Sequence, residues 1–217
     1  KKNSEYEKKR KIFKEIKNKL EDKKYSEHIK EFEIAIKNLI TQYDTANWEN
    51  RFVVGGALEV LFCALINSIG FKCVWLKETR YDIKINEVKF SLKSNFTGTG
   101  DIRLINILGD ERVTWNEPTL FFISGAGIYY ADPLMNLFTK HTNDALVINI
   151  DEIKKLDKEW HISVKIERKP KNSRKIKTAS YDVAKVILEE IQSKYLITHL
   201  PSPFGKNTTS LSSWWKK

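Results

Sequence analysis

With 217 residues, 41% of them apolar, the chain is long enough for one sizeable domain and too rich in core-forming residues to be a disordered polymer. Its formal charge of +10 and pI near 9.4 favour a polyanionic partner, nucleic acid being the commonest, although lysine-rich solvated faces give the same total. Two cysteines and four scattered histidines exclude a disulfide framework and a Cys/His zinc site. The longest apolar run, around 57–66, is interrupted by Glu59 and too short to span a bilayer. The charged start carries no signal-peptide pattern, so no membrane partner and a cytoplasmic location are expected.

Residues 1–46 read as helix. Ile12, Phe13, Ile16 and Leu20 recur at helical spacing, and Ile29, Phe32, Ile36, Leu39 and Ile40 do so again. Residues 1–30 hold twelve Lys/Arg against six Asp/Glu, a surplus of +6 (12 − 6) that suits DNA, a second subunit or plain solvent. A third helix is expected over 51–69, closed by Gly70. Strands follow at 71–76, 119–124, 128–131, 145–150 and 160–166, and a last helix at 181–195. This order predicts an α/β domain with a mixed central β-sheet flanked by helices. A helical N-terminal extension (1–48) precedes the core (49–200), and an irregular tail (201–217) follows it.

Between the first strands lies D-I-K-I-N-E-V-K-F-S-L-K, residues 82–93. With Asn86-Glu87 as a two-residue turn, Ile85 meets Val88, Ile83 meets Phe90 and Asp82 meets Ser91. The apolar residues then share one face and Asp82, Lys84, Lys89, Ser91 and Lys93 the other. A slip of one residue would destroy that sorting, so the register is well specified.

Asp82 with Ser91-Leu92-Lys93 resembles the metal-binding hairpin of the PD-(D/E)XK nuclease superfamily. There, an Asp on one strand and an acid-X-Lys on the next hold a divalent metal and a water. Tyr81 replaces the family's Pro, and Ser91 replaces its acid. Glu87-Val88-Lys89 matches acid-X-Lys by letter, but its glutamate would sit in the turn, away from Asp82. A second carboxylate is therefore expected from Glu59, the sole acid in an apolar helix, on a stripe with Gly55, Gly56, Cys63 and Asn67. The alternative for that stripe is the solvent side of the helix.

The resemblance implies a restriction-endonuclease-like core and Mg²⁺ dependence. It assigns metal binding to Asp82, Glu59 and the Leu92 carbonyl, and catalysis to Asp82, Lys93, Ser91 and Glu59. Mg²⁺ prefers oxygen ligands and keeps several waters, which suits water activation at a phosphodiester. The nearest class is a Type II restriction endonuclease, acting on double-stranded DNA as a homodimer.

Around the hairpin, Lys89, Ser94, Asn95, Thr97, Thr99 and Arg103 are candidate DNA contacts, the small Thr97–Thr99 loop being able to approach a phosphate. The basic stretch 165–177 supplies Arg168, Lys169, Lys171, Arg174 and Lys175, with Arg168 and Arg174 suited to guanine. Two alternatives stand beside the restriction enzyme: a resolvase or repair nuclease of the same fold, and a non-catalytic DNA-binding protein with a degenerate site, which Ser91 favours.

Overall fold

Apolar spacing in the first helices is answered by burial. A computed structural model describes residues 2–42, 48–76, 78–109, 112–169 and 189, with 42 and 48–53 by backbone alone. Helix α1 (Lys2–Leu20) buries Ile12, Phe13, Ile16 and Leu20, and α2 (Ser26–Gln42) buries Phe32, Ile36, Leu39 and Ile40. Both contribute to the core that the central sheet shares, so α1 and α2 pack as part of that layer. Helix α3 (Trp48–Ser68) is apolar almost all round because it is covered on one side by α2 and on the other by strands. Gly70 ends it at φ +98°, a left-handed backbone that glycine adopts without a steric penalty.

Nine strands follow among the described residues: β1 (Cys73–Trp75), β2 (Ile83–Ile85), β3 (Val88–Asn95), β4 (Asp101–Asn106), β5 (Thr119–Ile123), β6 (Gly127–Ala131), β7 (Lys140–His141), β8 (Ala145–Asn149) and β9 (His161–Ile162). The central sheet runs β1-β2-β3-β5-β6-β9, parallel only between β3 and β5, so the expected mixed sheet with flanking helices is present. The strands expected over 71–76 and 160–166 shorten to β1 and β9. A three-stranded sheet, β4-β8-β7, and the short helix α4 (Ile150–Lys154) were not anticipated. Strand β4 lies in a stretch read only for its polar loop residues, yet Ile102 and Leu104 are buried while Asp101 and Arg103 are exposed.

The two faces of the central sheet meet different partners. Ile83, Phe90, Leu92, Leu120 and Phe122 face the helices. Phe121, Ile123 and Tyr129 face β4, β8 and α4. This sidedness decides where each candidate site residue points. Apart from Glu189, which is helical, the helix expected over 181–195 lies outside the described residues, as do Lys171, Arg174, Lys175 and the tail from 201. No helix among the described residues is long and apolar enough to cross a membrane.

Candidate active site

The hairpin has the register that its pattern dictates. Ile83 pairs with Phe90, Lys84 with Lys89 and Ile85 with Val88. Asn86 (φ +44°) and Glu87 (φ +68°) turn the chain with positive φ at both central positions, the geometry that matches the twist of the strands. Glu87 is exposed there and pairs with Lys84 and Lys72, away from Asp82.

Past Phe90, β3 runs on beyond the start of β2 and takes β5 as its parallel neighbour, with Ser91 beside Thr119 and Lys93 beside Phe121. Asp82 therefore faces a strand that β2 has stopped covering. Its Oδ2 accepts a hydrogen bond from the Leu92 amide at 2.6 Å and another from the Ser91 hydroxyl at 3.3 Å. Asp82, Ser91 and Lys93 all line one cleft of about 470 Å³ between the central sheet and β4. Lys93 makes no ion pair among the described residues, whereas Lys89 is held by Glu78 at 2.8 Å and lies over the Tyr81 ring.

Glu59 comes from the other side. Helix α3 packs on the apolar face of the hairpin, and the Trp75 indole N–H donates to Glu59 Oε2 at 2.8 Å. The small or polar stripe of α3 is mixed: Cys63 is buried and Glu59 half-buried, while Asn67 is exposed and clasps the Cys73 backbone with two hydrogen bonds. Burial, and then the charge of Asp82, push the Glu59 carboxyl up to about 8, against the opposing pull of Trp75 and Lys93. The carboxyl is thus close enough to feel both cleft residues while standing on the helix face of the sheet.

The cleft's other wall was not foreseen. Arg80 forms an ion pair with Glu117, and burial, then the neighbouring Glu117 carboxylate, push the Tyr81 phenol up. Thr119 donates to the Glu117 carbonyl at 2.8 Å, and Tyr6 of α1 donates to the Asn116 carbonyl at 2.7 Å. Lys9, only 1% exposed, lies with its Nζ 3.3 Å from Glu5 and 5.1 Å from the centroid of Tyr81. The first helix thereby braces the cleft. The partner of Arg80 is 37 residues away, which no local pattern reveals, although Arg80-Tyr81 directly precedes Asp82.

The polar segment after Lys93 divides between two places. Ser94, Asn95, Thr97 and Thr99 line a second hollow of about 340 Å³ with Val54 and Gly55 of α3, on the helix side. Asn95 and Thr97 spend their side chains on the turn itself, through Gly98 and Thr99. Arg103 is exposed and paired with Asp144. Arg168 lies across Gly98 and Gly125, where a Cβ on Gly98 would come 2.8 Å from its Nε, so glycine at 98 makes room for the guanidinium. Lys169 donates its backbone N–H to the Phe96 carbonyl.

Mg²⁺ is commonly held by one or two carboxylates together with substrate phosphates, not by an all-protein cage. Asp82 meets the minimum of that requirement: among the described residues its Oδ1 has no hydrogen-bond partner. No three His, Cys, Asp or Glu side chains among the described residues gather as a metal cage. No family model, curated protein or solved structure matches the chain.

Proposed function

We propose that the chain is a Mg²⁺-dependent endodeoxyribonuclease that hydrolyses double-stranded DNA, of the sequence-specific type that Type II restriction enzymes represent. One observation carries it: Asp82 is tied to the Leu92 amide and Ser91 hydroxyl at the point where β2 begins, with Lys93 lining the same cleft. A carboxylate held by two hydrogen bonds and an ammonium with no ion pair among the described residues thus share one cleft, an arrangement suited to hydrolysis of a phosphodiester.

In this scheme Asp82 and the Leu92 carbonyl hold Mg²⁺, which when bound acidifies the attacking water and offsets charge on the phosphate. Lys93 orients that water and stabilises the developing negative charge, a task for a preorganised donor in a cleft. Ser91 brings no charge. Its hydroxyl fixes the Asp82 carboxylate by donating to it. Glu59 serves as the second carboxylate only when ionised, a form that a cation nearby favours and burial opposes. A homodimer and a cytoplasmic setting belong to the same proposal.

The rival is a DNA-binding protein without catalysis. It is favoured by the neutral Ser91 and by a Glu59 whose carboxyl keeps its proton up to about 8. Incubating plasmid with the full chain in Mg²⁺ and in EDTA separates the two. Discrete fragments in Mg²⁺ alone support the sequence-specific nuclease, and a smear means nonspecific cutting. A gel shift without cleavage refutes the enzyme and leaves the binding protein.

A further inference from the structure

We propose that Arg80, held in place by Glu117 and Tyr81, is a phosphate-binding residue of the cleft. It rests on the proposal that DNA is the substrate. Its guanidinium is 67% exposed on the side chain, yet it is not free to wander. Nε donates to Glu117 Oε1 at 2.7 Å, Nη2 bonds the same oxygen, and the group sits 5.4 Å from the Tyr81 ring centroid.

Such an arrangement does little for stability. An exposed ion pair gains little in water, and fixing an arginine costs it rotamer freedom. What the arrangement does achieve is direction. Of the five N–H groups that a guanidinium carries, Glu117 takes one on Nε and one on Nη2. Among the described residues, Nη1 and the rest of Nη2 have no hydrogen-bond partner and remain for a ligand in a cleft that also holds Asp82 and Lys93. Glu117 is itself only 22% exposed, and the Thr119 hydroxyl donates to its backbone carbonyl. A guanidinium anchored from behind presents its fork to a phosphate without first having to be ordered.

Charge sharpens the case. The cleft's cations, Arg80 and Lys93, are matched by Asp82 and Glu117, so its field does not by itself gather a polyanion. Attraction by net charge and recognition by a placed fork therefore predict opposite effects for one substitution. Glu117→Gln removes a negative charge, so a pure field effect would tighten DNA binding. If Glu117 is a positioning residue, its loss releases Arg80 and binding weakens.

The test is fluorescence anisotropy of a labelled DNA duplex with the full chain in EDTA, titrated over a range of salt, so that cutting does not intervene. Arg80→Ala should weaken binding about tenfold on every sequence and lower the salt slope by about one phosphate. Arg80→Lys should keep the salt slope and lose part of the affinity. Glu117→Gln should weaken binding in the same direction as Arg80→Ala. Lys72→Ala, an exposed lysine beside the hairpin turn, serves as the equal-charge control and should change little. Unaltered affinity and slope in Arg80→Ala overturn the proposal, as does tighter binding by Glu117→Gln or an absence of DNA binding by the parent chain. A protein that binds through Arg80 but never cuts would sustain the phosphate site and refute the nuclease. A protein that cuts with Arg80→Ala binding normally would do the reverse.

Discussion

The two faces of the hairpin hold its two carboxylates under opposite conditions. On the cleft face, Asp82 accepts hydrogen bonds from the Leu92 amide and the Ser91 hydroxyl. On the helix face, Glu59 has one indole donor and an apolar helix around it, and burial holds its carboxyl up to about 8. The sheet thus separates a carboxylate tied to the β3 backbone from a carboxyl that burial pushes up. Sequence spacing brings both acids near the hairpin. Only the sidedness of the sheet decides which one lines the cleft and which one the helix covers.

The largest effect expected from that contrast is at Asp82. Asp82→Ala should reduce Mg²⁺-dependent cutting to background while DNA binding persists, since a ligand is lost and no phosphate contact is. Normal cutting by this variant, followed on supercoiled plasmid, would remove the hairpin from the chemistry. Next comes Lys93→Ala, with a loss of at least ~10²-fold in single-turnover rate, the scale for removing one acid–base or electrostatic group. Lys89→Ala should be mild, because that ammonium is already spent on Glu78. Equal losses at both lysines would mean that the ledge binds DNA through charge alone.

A smaller effect is expected at Glu59, and its sign is informative. The folded-state value is raised from 4.5 to about 8, so the stability that the neutral carboxyl contributes is complete below 4.5. It is lost as pH rises through that window toward about 8. Glu59→Gln cannot ionise, so in EDTA its thermal midpoint should fall less than the parent's between pH 5 and 8. The same variant should need more Mg²⁺ for cutting if Glu59 is the second carboxylate, and adding Ser91→Glu should restore part of the activity. Equal Mg²⁺ dependence in parent and Glu59→Gln would leave Asp82 as the cleft's sole carboxylate ligand among those proposed.

The same contrast shows what could be read ahead of the structure. The hairpin was legible because strict alternation over 82–93 leaves one register that sorts its faces, and Asn86-Glu87 falls where the turn must. The approach of Glu59 was half legible. Its isolation in an apolar helix marked it, but the side of the sheet on which α3 packs is set by the burial of Ile83, Phe90 and Leu92 together. Strand β4 was missed although Ile102 and Leu104 alternate with exposed neighbours, because the preceding glycines and threonines drew that stretch into a loop. Lys9 looked like one more lysine of a solvated helix and is buried against Tyr81. Arg80–Glu117 depends on β3 pairing with β5, and Arg10–Asp132, at 2.7 Å and 122 residues apart, on β6 meeting α1, neither of which local pattern encodes.

The smallest expected effect tests the letters against the geometry. Glu87-Val88-Lys89 spells acid-X-Lys, so a metal role assigned by spelling would make Glu87 indispensable. Its backbone says otherwise: φ is +68° in the second central position of a tight turn, where glycine is the least strained residue. Its carboxylate is exposed and engaged with Lys84 and Lys72. Glu87→Gly relieves the backbone and gives up only solvent-exposed ion pairs, which contribute little. The thermal midpoint should therefore stay level or rise slightly, and the Mg²⁺-dependent rate should match the parent's. A collapse in rate with the fold intact would transfer the metal site to the turn and leave Asp82 a structural clasp for the Leu92 amide.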